Sequence, residues 1–379
     1  MFDYQKNHRF FAQTAGGLEE LAQTELQSLG AQDVHVEYRG LYFSADPPTL
    51  YRINYQSRLI SRVFAPLIRF DCHSTKYLYK TAVKIKWDEI LTNQKTFAIS
   101  AITEHSAIKH SHYAALCLKD AVVDTFRKRY GKRPDVDKKN PDIRLHLFIS
   151  NNKATISFDT SGDSLHKRGY RLESVEAPMQ ETLAAALVSL SNWDGTQPLY
   201  DPMCGSGTIL CEALMNYCAI PSGFLRDKFG FESLPDFDES TWKKVKQDAD
   251  AHIKPLPEGL ISGSDSDAKS ISAAKKNILN LRTQALVTIL HKKFQDINPI
   301  QDSIIITNPP YGIRMGSKPE VSALMKEFGD FLKHQCTGST AYVYFGDREL
   351  VKKIGLKPSM KKPLTAGGLN GLLARYEMY

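Results

Sequence analysis

Four residues, Asn308-Pro309-Pro310-Tyr311, directly follow the apolar run Ile304-Ile305-Ile306-Thr307. Proline has a fixed φ and no backbone N–H, so a strand cannot carry its ladder through two of them. The carbonyl groups of such a turn are free to face a ligand. The Asn308 amide oxygen and the Pro309 carbonyl can each accept a hydrogen bond from one NH₂ group, and Tyr311 offers a face for stacking a planar base. An amine on an aromatic ring is a poor nucleophile, because its lone pair is delocalised. Two acceptors on its protons favour a pyramidal nitrogen and aim the lone pair at an electrophile. Asn308, Pro309, Pro310 and Tyr311 are therefore the predicted catalytic residues, working by position and electrostatics without a strong base or a metal.

A second pattern indicates the electrophile. Asp201-Pro202-Met203-Cys204-Gly205-Ser206-Gly207-Thr208 follows a short strand and opens a helix from Ile209. Glycines at such a turn let the backbone approach a ligand, and the helix N-terminus offers free N–H donors. A dinucleotide fingerprint needs a third Gly where Leu210 stands, and a P-loop needs Gly-Lys-Ser/Thr, which is absent. Asp201 before the turn repels a pyrophosphate and suits a cation, such as S-adenosylmethionine with its amino group and sulfonium. Asp265, at the end of Ile261-Ser262-Gly263-Ser264 and next to Ser266, is predicted to accept the ribose hydroxyl protons, while Asp267 suits a helix cap. Asp296 is the candidate for the adenine amino group, with a solvated loop residue as its alternative reading. Pro202, Cys204, Gly205, Gly207, Thr208 and Asn308 complete the cofactor set read from these patterns.

These motifs need a frame. From Pro178, which suits a first helical turn, helix and strand signals alternate. Strands are predicted at 198–200, 260–263, 286–290, 303–307 and 340–345, as in a doubly wound, largely parallel α/β sheet. The stretch 220–254 is rich in Phe, Pro, Asp and Lys, lacks periodicity and reads as an insertion or a lid. Residues 1–60 form a small α+β unit, with a helix near 17–26 and a hairpin turning at Arg39-Gly40. A second α+β segment follows, assigned to 61–160, with a helical pattern near 49–61 leading into it, another at 111–130, and strands at 96–102, 144–150 and 154–159. The catalytic part is expected at 165–379, after the linker Ser161-Gly162-Asp163-Ser164.

The charge is lopsided. Residues 1–171 hold 26 Lys and Arg against 18 Asp and Glu, a net +8, while the remainder holds 23 against 24, a net −1. An excess confined to one half fits contact with a polyanion. Cations interleave with aromatics at Phe126-Arg127-Lys128-Arg129-Tyr130-Gly131-Lys132-Arg133, and Lys109 lies among His105, His110 and His112. Lys109, Arg127, Lys128, Arg129, Lys132, Arg133, Lys167 and Arg168 are the predicted RNA contacts. Cys204, Cys211 and Cys218 recur at helical spacing and no pair has C-x-x-C spacing, so they read as one buried helix face and no metal is predicted. No apolar run approaches the roughly 18 residues of a membrane span, and the N-terminus lacks signal-peptide order, so a cytoplasmic protein is expected.

Taken together, these residues resemble the bacterial ribosomal RNA guanine-N2 methyltransferases with an N-terminal THUMP domain, the 23S rRNA large-subunit type. The similarity runs from Phe11 to Gly371. It is carried by Lys119-Asp120-Ala121, Gly131-Lys132-Arg133-Pro134, His166-Lys167-Arg168-Gly169-Tyr170-Arg171, Ala177-Pro178-Met179-Gln180-Glu181-Thr182, the Asp201 loop and Asn308-Pro309-Pro310-Tyr311-Gly312. The resemblance implies a ferredoxin-like piece, a THUMP module and a class I (Rossmann-like) methyltransferase domain using S-adenosylmethionine. It implies that Gln180, Glu181 and Thr182 line the cofactor pocket, Gln180 standing where the family usually has Lys. It also implies rRNA as partner; because the tetrad suits any planar amino group, tRNA guanine, DNA adenine N6 and protein glutamine stand as alternative acceptors. Some relatives carry a second methyltransferase domain behind this one; one activity is expected of a chain ending at Tyr379.

Overall fold

The computed structural model describes all residues except 176–177, 283–285, 312–317 and 367–368. Ala177 and Gly312 of the motifs above lie outside the described residues. The N-terminal half runs α1 (Asp3–Asn7), β1 (Arg9–Gln13), α2 (Glu19–Ser28), β2 (Gln32–Glu37), β3 (Gly40–Ser44), α3 (Pro47–Gln56), β4 (Arg62–Asp71), α4 (Thr75–Ala82), β5 (Phe97–Glu104), α5 (Ser111–Tyr130), β6 (Ile143–Ser150) and β7 (Lys153–Asp159). All seven strands share one sheet, ordered β2-β3-β1-β4-β7-β6-β5. Only β5 and β6 are parallel, joined by the crossover helix α5. The two expected N-terminal pieces are thus continuous, because β4 pairs with β1 on one side and β7 on the other. The sequence reading missed β4, which contains a proline. Pro66 is tolerated because the register shifts between Pro66 and Ile68, at a bulge where no ladder donor is needed. The β6–β7 hairpin turns on Asn151 (φ 49) and Asn152 (φ 58), a left-handed pair that asparagine accommodates.

The second half contains α6 (Glu181–Leu190), β8 (Leu199–Asp201), α7 (Thr208–Tyr217), α8 (Glu239–Asp250), β9 (Ile261–Asp265), α9 (Ala268–Asn280), β10 (Thr288–His291), β11 (Ile304–Thr307), α10 (Lys318–Gln335), β12 (Thr340–Phe345), β13 (Met360–Ala366) and β14 (Leu369–Glu377). The sheet order is β10-β9-β8-β11-β12-β14-β13. The first five strands are parallel, as expected, and chain order reverses between β8 and β11. The antiparallel hairpin β13–β14 that closes the sheet was not foreseen. Pro178 precedes α6 by three residues and does not open it. Cys211 lies in α7 and Cys218 caps it, but Cys204 sits in the loop before it, so the expected single cysteine face is broken. Among the described residues no helix is long and apolar enough to cross a membrane.

The stretch 220–254 is not a lid. None of it lines the main cavity. Instead it docks on α3: Phe231 stacks on Tyr51 at 4.6 Å between ring centroids, Trp242 meets Tyr55 edge-on at 5.2 Å, and Tyr55 donates to Asp250 at 2.6 Å. Arg226 donates to the carbonyls of Ser161, Asp163, Ser164 and Lys167, fastening the linker between the sheets. Arg168 is buried as well, which corrects its assignment to RNA. Its Nε donates to Glu212 on α7 at 3.3 Å, both side chains being fully buried, and its Nη2 donates to the Arg58 carbonyl. Tyr170 donates to the same Glu212 oxygen at 3.1 Å. Breaking a buried pair from one side strands the other charge, which costs about 3–5 kcal/mol. Glu212→Ala is therefore expected to lower unfolding free energy by about that much. Urea unfolding of the full chain checks it, and a midpoint equal to that of the unmodified protein would refute it.

Candidate active site

A cavity of about 590 Å³ opens at the C-terminal ends of β8, β9, β10 and β11. It straddles the reversal of strand order, where doubly wound sheets bind ligands. Four strand-end loops build its wall. Pro202 to Ser206 come from the first, Asp265 to Asp267 from the second, Lys293 to Gln295 from the third, and Asn308 to Tyr311 from the fourth.

Asp201 is buried at the floor. Thr307 Oγ1 donates to its Oδ1 at 2.7 Å and the Met203 N–H at 3.2 Å, tying the ends of adjacent strands together. Its carboxyl pKa is raised to about 7, chiefly by burial and in smaller part by nearby Asp265, against the lowering by the Thr307 and Met203 bonds. A cation beside Asp201 would restore its charged form. Asp265 accepts from the Gly205 N–H at 2.9 Å, so the second loop braces the glycine turn. Asp267 caps α9, accepting from the backbone of Lys269 and Ser270 and from the Ser270 hydroxyl.

The two glycines of the turn serve different needs. Gly205 has φ +53, and a Cβ there would meet no atom within 4 Å; it lies in the cavity wall. Gly207 has φ +78 and is absent from the wall; a Cβ on it would lie 3.0 Å from the Ala274 Cβ, so it permits α7 to pack on α9. In the fourth loop, Pro309 and Pro310 end β11 and Tyr311 lies across Gly346, where a Cβ would fall 2.3 Å from its ring. Asn308 lines the cavity with its Oδ1 buried and without a hydrogen-bond partner among the described residues. Such an acceptor costs about 1–3 kcal/mol unless something supplies a donor.

Of the predicted site residues, Asp201, Pro202, Cys204, Gly205, Thr208, Asp265, Ser266 and the tetrad are brought together around this cavity. Asp296 is not; it is exposed at the end of a short 3-10 turn, while its neighbours Phe294 and Gln295 form the wall. Gln180 and Glu181 line a separate cavity of about 390 Å³ that shares Pro178 and Met179 with the main one, and Thr182 is buried in α6. Sequence reasoning missed Met179, Met203, Lys293 and Phe294 in the wall and Thr307 beneath it; apart from Thr307's place at a strand end, their types carried no signal. It also missed Arg171, whose guanidinium donates to Glu181 Oε1, Ser206 Oγ, Thr208 Oγ1 and the Met179 carbonyl. Lys109, Arg127, Lys128, Arg129, Lys132, Arg133 and Lys167 are exposed on the N-terminal half and the linker. Arg127, Arg129 and Lys167 have acidic neighbours in Asp124, Asp88 and Asp163.

The parallel sheet, the cavity at its switch point and the acid-flanked glycine turn define a class I methyltransferase dependent on S-adenosylmethionine. The chain belongs to the family whose model is described as RMKL-like, methyltransferase domain, matched over residues 168–375; a THUMP domain is matched at 72–159 and an RlmL ferredoxin-like domain at 9–64. It is 39% identical to "Putative RNA methyltransferase slr0064" of Synechocystis sp., over 98% of this chain and 97% of that protein. It is 37% identical to the ribosomal RNA large subunit methyltransferase K/L of Aliivibrio salmonicida over 98% of this chain, spanning only 53% of that longer protein. The crystal structure of SMU.472 complexed with SAH superposes with a TM-score of 0.85 at 28% identity, covering 98% of each chain.

Gly205→Ala separates the fold from the cavity. A left-handed alanine costs about 1–2 kcal/mol, so the protein should still fold, while the new methyl group occupies ligand space. Calorimetry should show affinity for S-adenosylmethionine falling by about tenfold or more; unchanged affinity in the folded variant would contradict the placement of Gly205.

Proposed function

We propose that this chain transfers the methyl group of S-adenosylmethionine to the N2 amino group of a guanine in RNA, with 23S rRNA as the substrate. The observation that carries the reading is the buried Asn308 Oδ1, without a partner among the described residues and set between Pro309, Tyr311 and the acid-flanked glycine turn in one cavity. The residues fit the donor: Asp201 is a buried carboxyl in need of a cation, Gly205 leaves open space, and each Asp265 oxygen accepts one backbone N–H, from Gly205 and from Asp267, and keeps a further lone pair. RNA is favoured over the alternative acceptors by the THUMP match, the basic N-terminal half and the name of the full-length Synechocystis relative. The K/L relative's name supplies rRNA, and the resemblance supplies guanine N2.

When bound, the donor supplies a methyl carbon whose bond to positively charged sulfur breaks as the acceptor nitrogen bonds to it. The chain's part is to hold the nitrogen. Asn308 Oδ1 accepts one amino proton and the Pro309 carbonyl the other, which turns the lone pair out of conjugation. Tyr311, seated on Gly346, stacks on the base and limits its tilt. An amide is no base, so the proton shed by the methylated nitrogen goes to water. Asp201, Cys204, Gly205 and Thr208 hold the donor's methionine end, Asp265 and Ser266 its ribose, and Phe294 its adenine.

Asn308→Ala should lower kcat by about 10²–10³-fold, as for removal of one preorganised hydrogen-bonding group, while RNA affinity is kept. Methyl transfer to rRNA from a deletion strain, followed by nucleoside analysis, tests both the role and the product. Label in N6-methyladenosine or only in protein would exclude guanine N2. Asp201 yields a pH prediction: the cationic donor binds the ionised carboxylate, so affinity should rise as pH increases from about 6 through about 7, with proton release on binding. Titration calorimetry in buffers of different ionisation heat measures that release, which Asp201→Asn should abolish.

A further inference from the structure

Ser206 lies between two glycines that both have positive φ, so the turn gains little stiffness from its own side chains. Its shape must be imposed from outside. Asn277 contributes one tie, donating to the Ser206 carbonyl at 3.0 Å. The hydroxyls are held by Arg171, which does not itself line the cavity. Its Nη1 donates to Ser206 Oγ at 3.3 Å, and its Nη2 to Thr208 Oγ1 at 3.1 Å and to the Met179 carbonyl at 3.0 Å. Ser206, Thr208 and Met179 all stand in the wall. The fork is held in place from behind by Glu181, which accepts from Nε at 2.9 Å and is itself buried. The task of joining the two halves falls three residues earlier, to Arg168.

We infer that Arg171 is a positioning residue for the methyl donor, holding the glycine turn in its binding shape through the Ser206 and Thr208 hydroxyls. The inference rests on the reading that this cavity holds S-adenosylmethionine. A preorganised turn spends less of the ligand's interaction energy on ordering, so the effect belongs in donor affinity and not in the chemical step. A planar guanidinium can serve four acceptors at once, whereas a lysine ammonium cannot.

The test uses the full chain, with S-adenosylmethionine binding by calorimetry and steady-state methylation of rRNA. Loss of several charge-assisted bonds should raise the donor Kd and KM of Arg171→Ala by about tenfold or more. At saturating donor its kcat and its RNA affinity should match the unmodified chain. Arg171→Lys should recover only part of the loss, and added guanidinium should restore donor affinity to Arg171→Ala. The paired variant Ser206→Ala, Thr208→Val should weaken donor binding similarly, with little further loss when Arg171→Ala is added. Unchanged donor affinity in Arg171→Ala, or a loss confined to kcat, overturns the inference. Should that variant not fold, unchanged donor affinity in the hydroxyl pair overturns it equally. If Asp201→Ala loses donor binding while Arg171→Ala keeps it, the inference falls and the cavity reading stands; if both keep it, both fall.

Discussion

Arg168 and Glu212 meet where water does not reach, and the rest of the architecture is arranged so that neither charge is left alone. The arginine sits on the strand of chain leaving the N-terminal sheet, and the glutamate on the helix that begins at the glycine turn. Arg168 also bonds the carbonyls of Leu165 and Arg58, while Arg58 reaches forward to the carbonyls of Met215 and Ile220. A buried charge tolerates few geometries. The pair therefore ties α7 to the segment that leaves the first sheet, and with it the basic half to the half that holds the cavity. The aromatic cluster of Tyr51, Tyr55, Phe231 and Trp242 adds apolar area to the same joint, and Arg226 fixes the chain between.

Around the cavity, the decisive features are atoms that the residues lack. Pro309 and Pro310 have no N–H, so β11 stops and Asn308, just after it, lines the site. Gly205 lacks a Cβ on the ligand side and Gly207 lacks one on the helix side. Gly346 lacks one beneath Tyr311. Against this background several polar groups are committed to one another. Thr307 supports Asp201, and Asp265 supports Gly205. Asn308 Oδ1 alone in the wall is buried without a partner among the described residues.

Much of the cavity wall was readable in the sequence because it is built from residues next to one another: the tetrad after an apolar strand, and the glycine turn after an acid. The parallel strands were readable for the same local reason. What escaped depends on partners far along the chain. Arg168 sits in a run with Lys167 and Arg171 that looks like a solvated basic face, and only Glu212, 44 residues on, makes it a core residue. The aromatics of 220–254 have no periodicity of their own because they pack on α3, some 180 residues earlier in the chain. Pro66 hid a strand that a bulge makes possible. Asp296 had the right type and approximate place, but the short turn that carries it sends Phe294 and Gln295 to the wall instead.

The two edges of the catalytic sheet have separate occupations. The loops after β8, β9, β10 and β11 that line the cavity leave the C-terminal ends of parallel strands, joined by Val175, Pro178 and Met179 from the segment before α6, whereas 220–254 lies in the return from α7 to β9, which enters at the opposite end. A segment placed there can lengthen, shorten or exchange its docking surface without moving an atom of the reaction centre. Evolution could thus fit one catalytic sheet to different N-terminal partners by rewriting a single return, while the chemistry on the far edge was inherited unaltered.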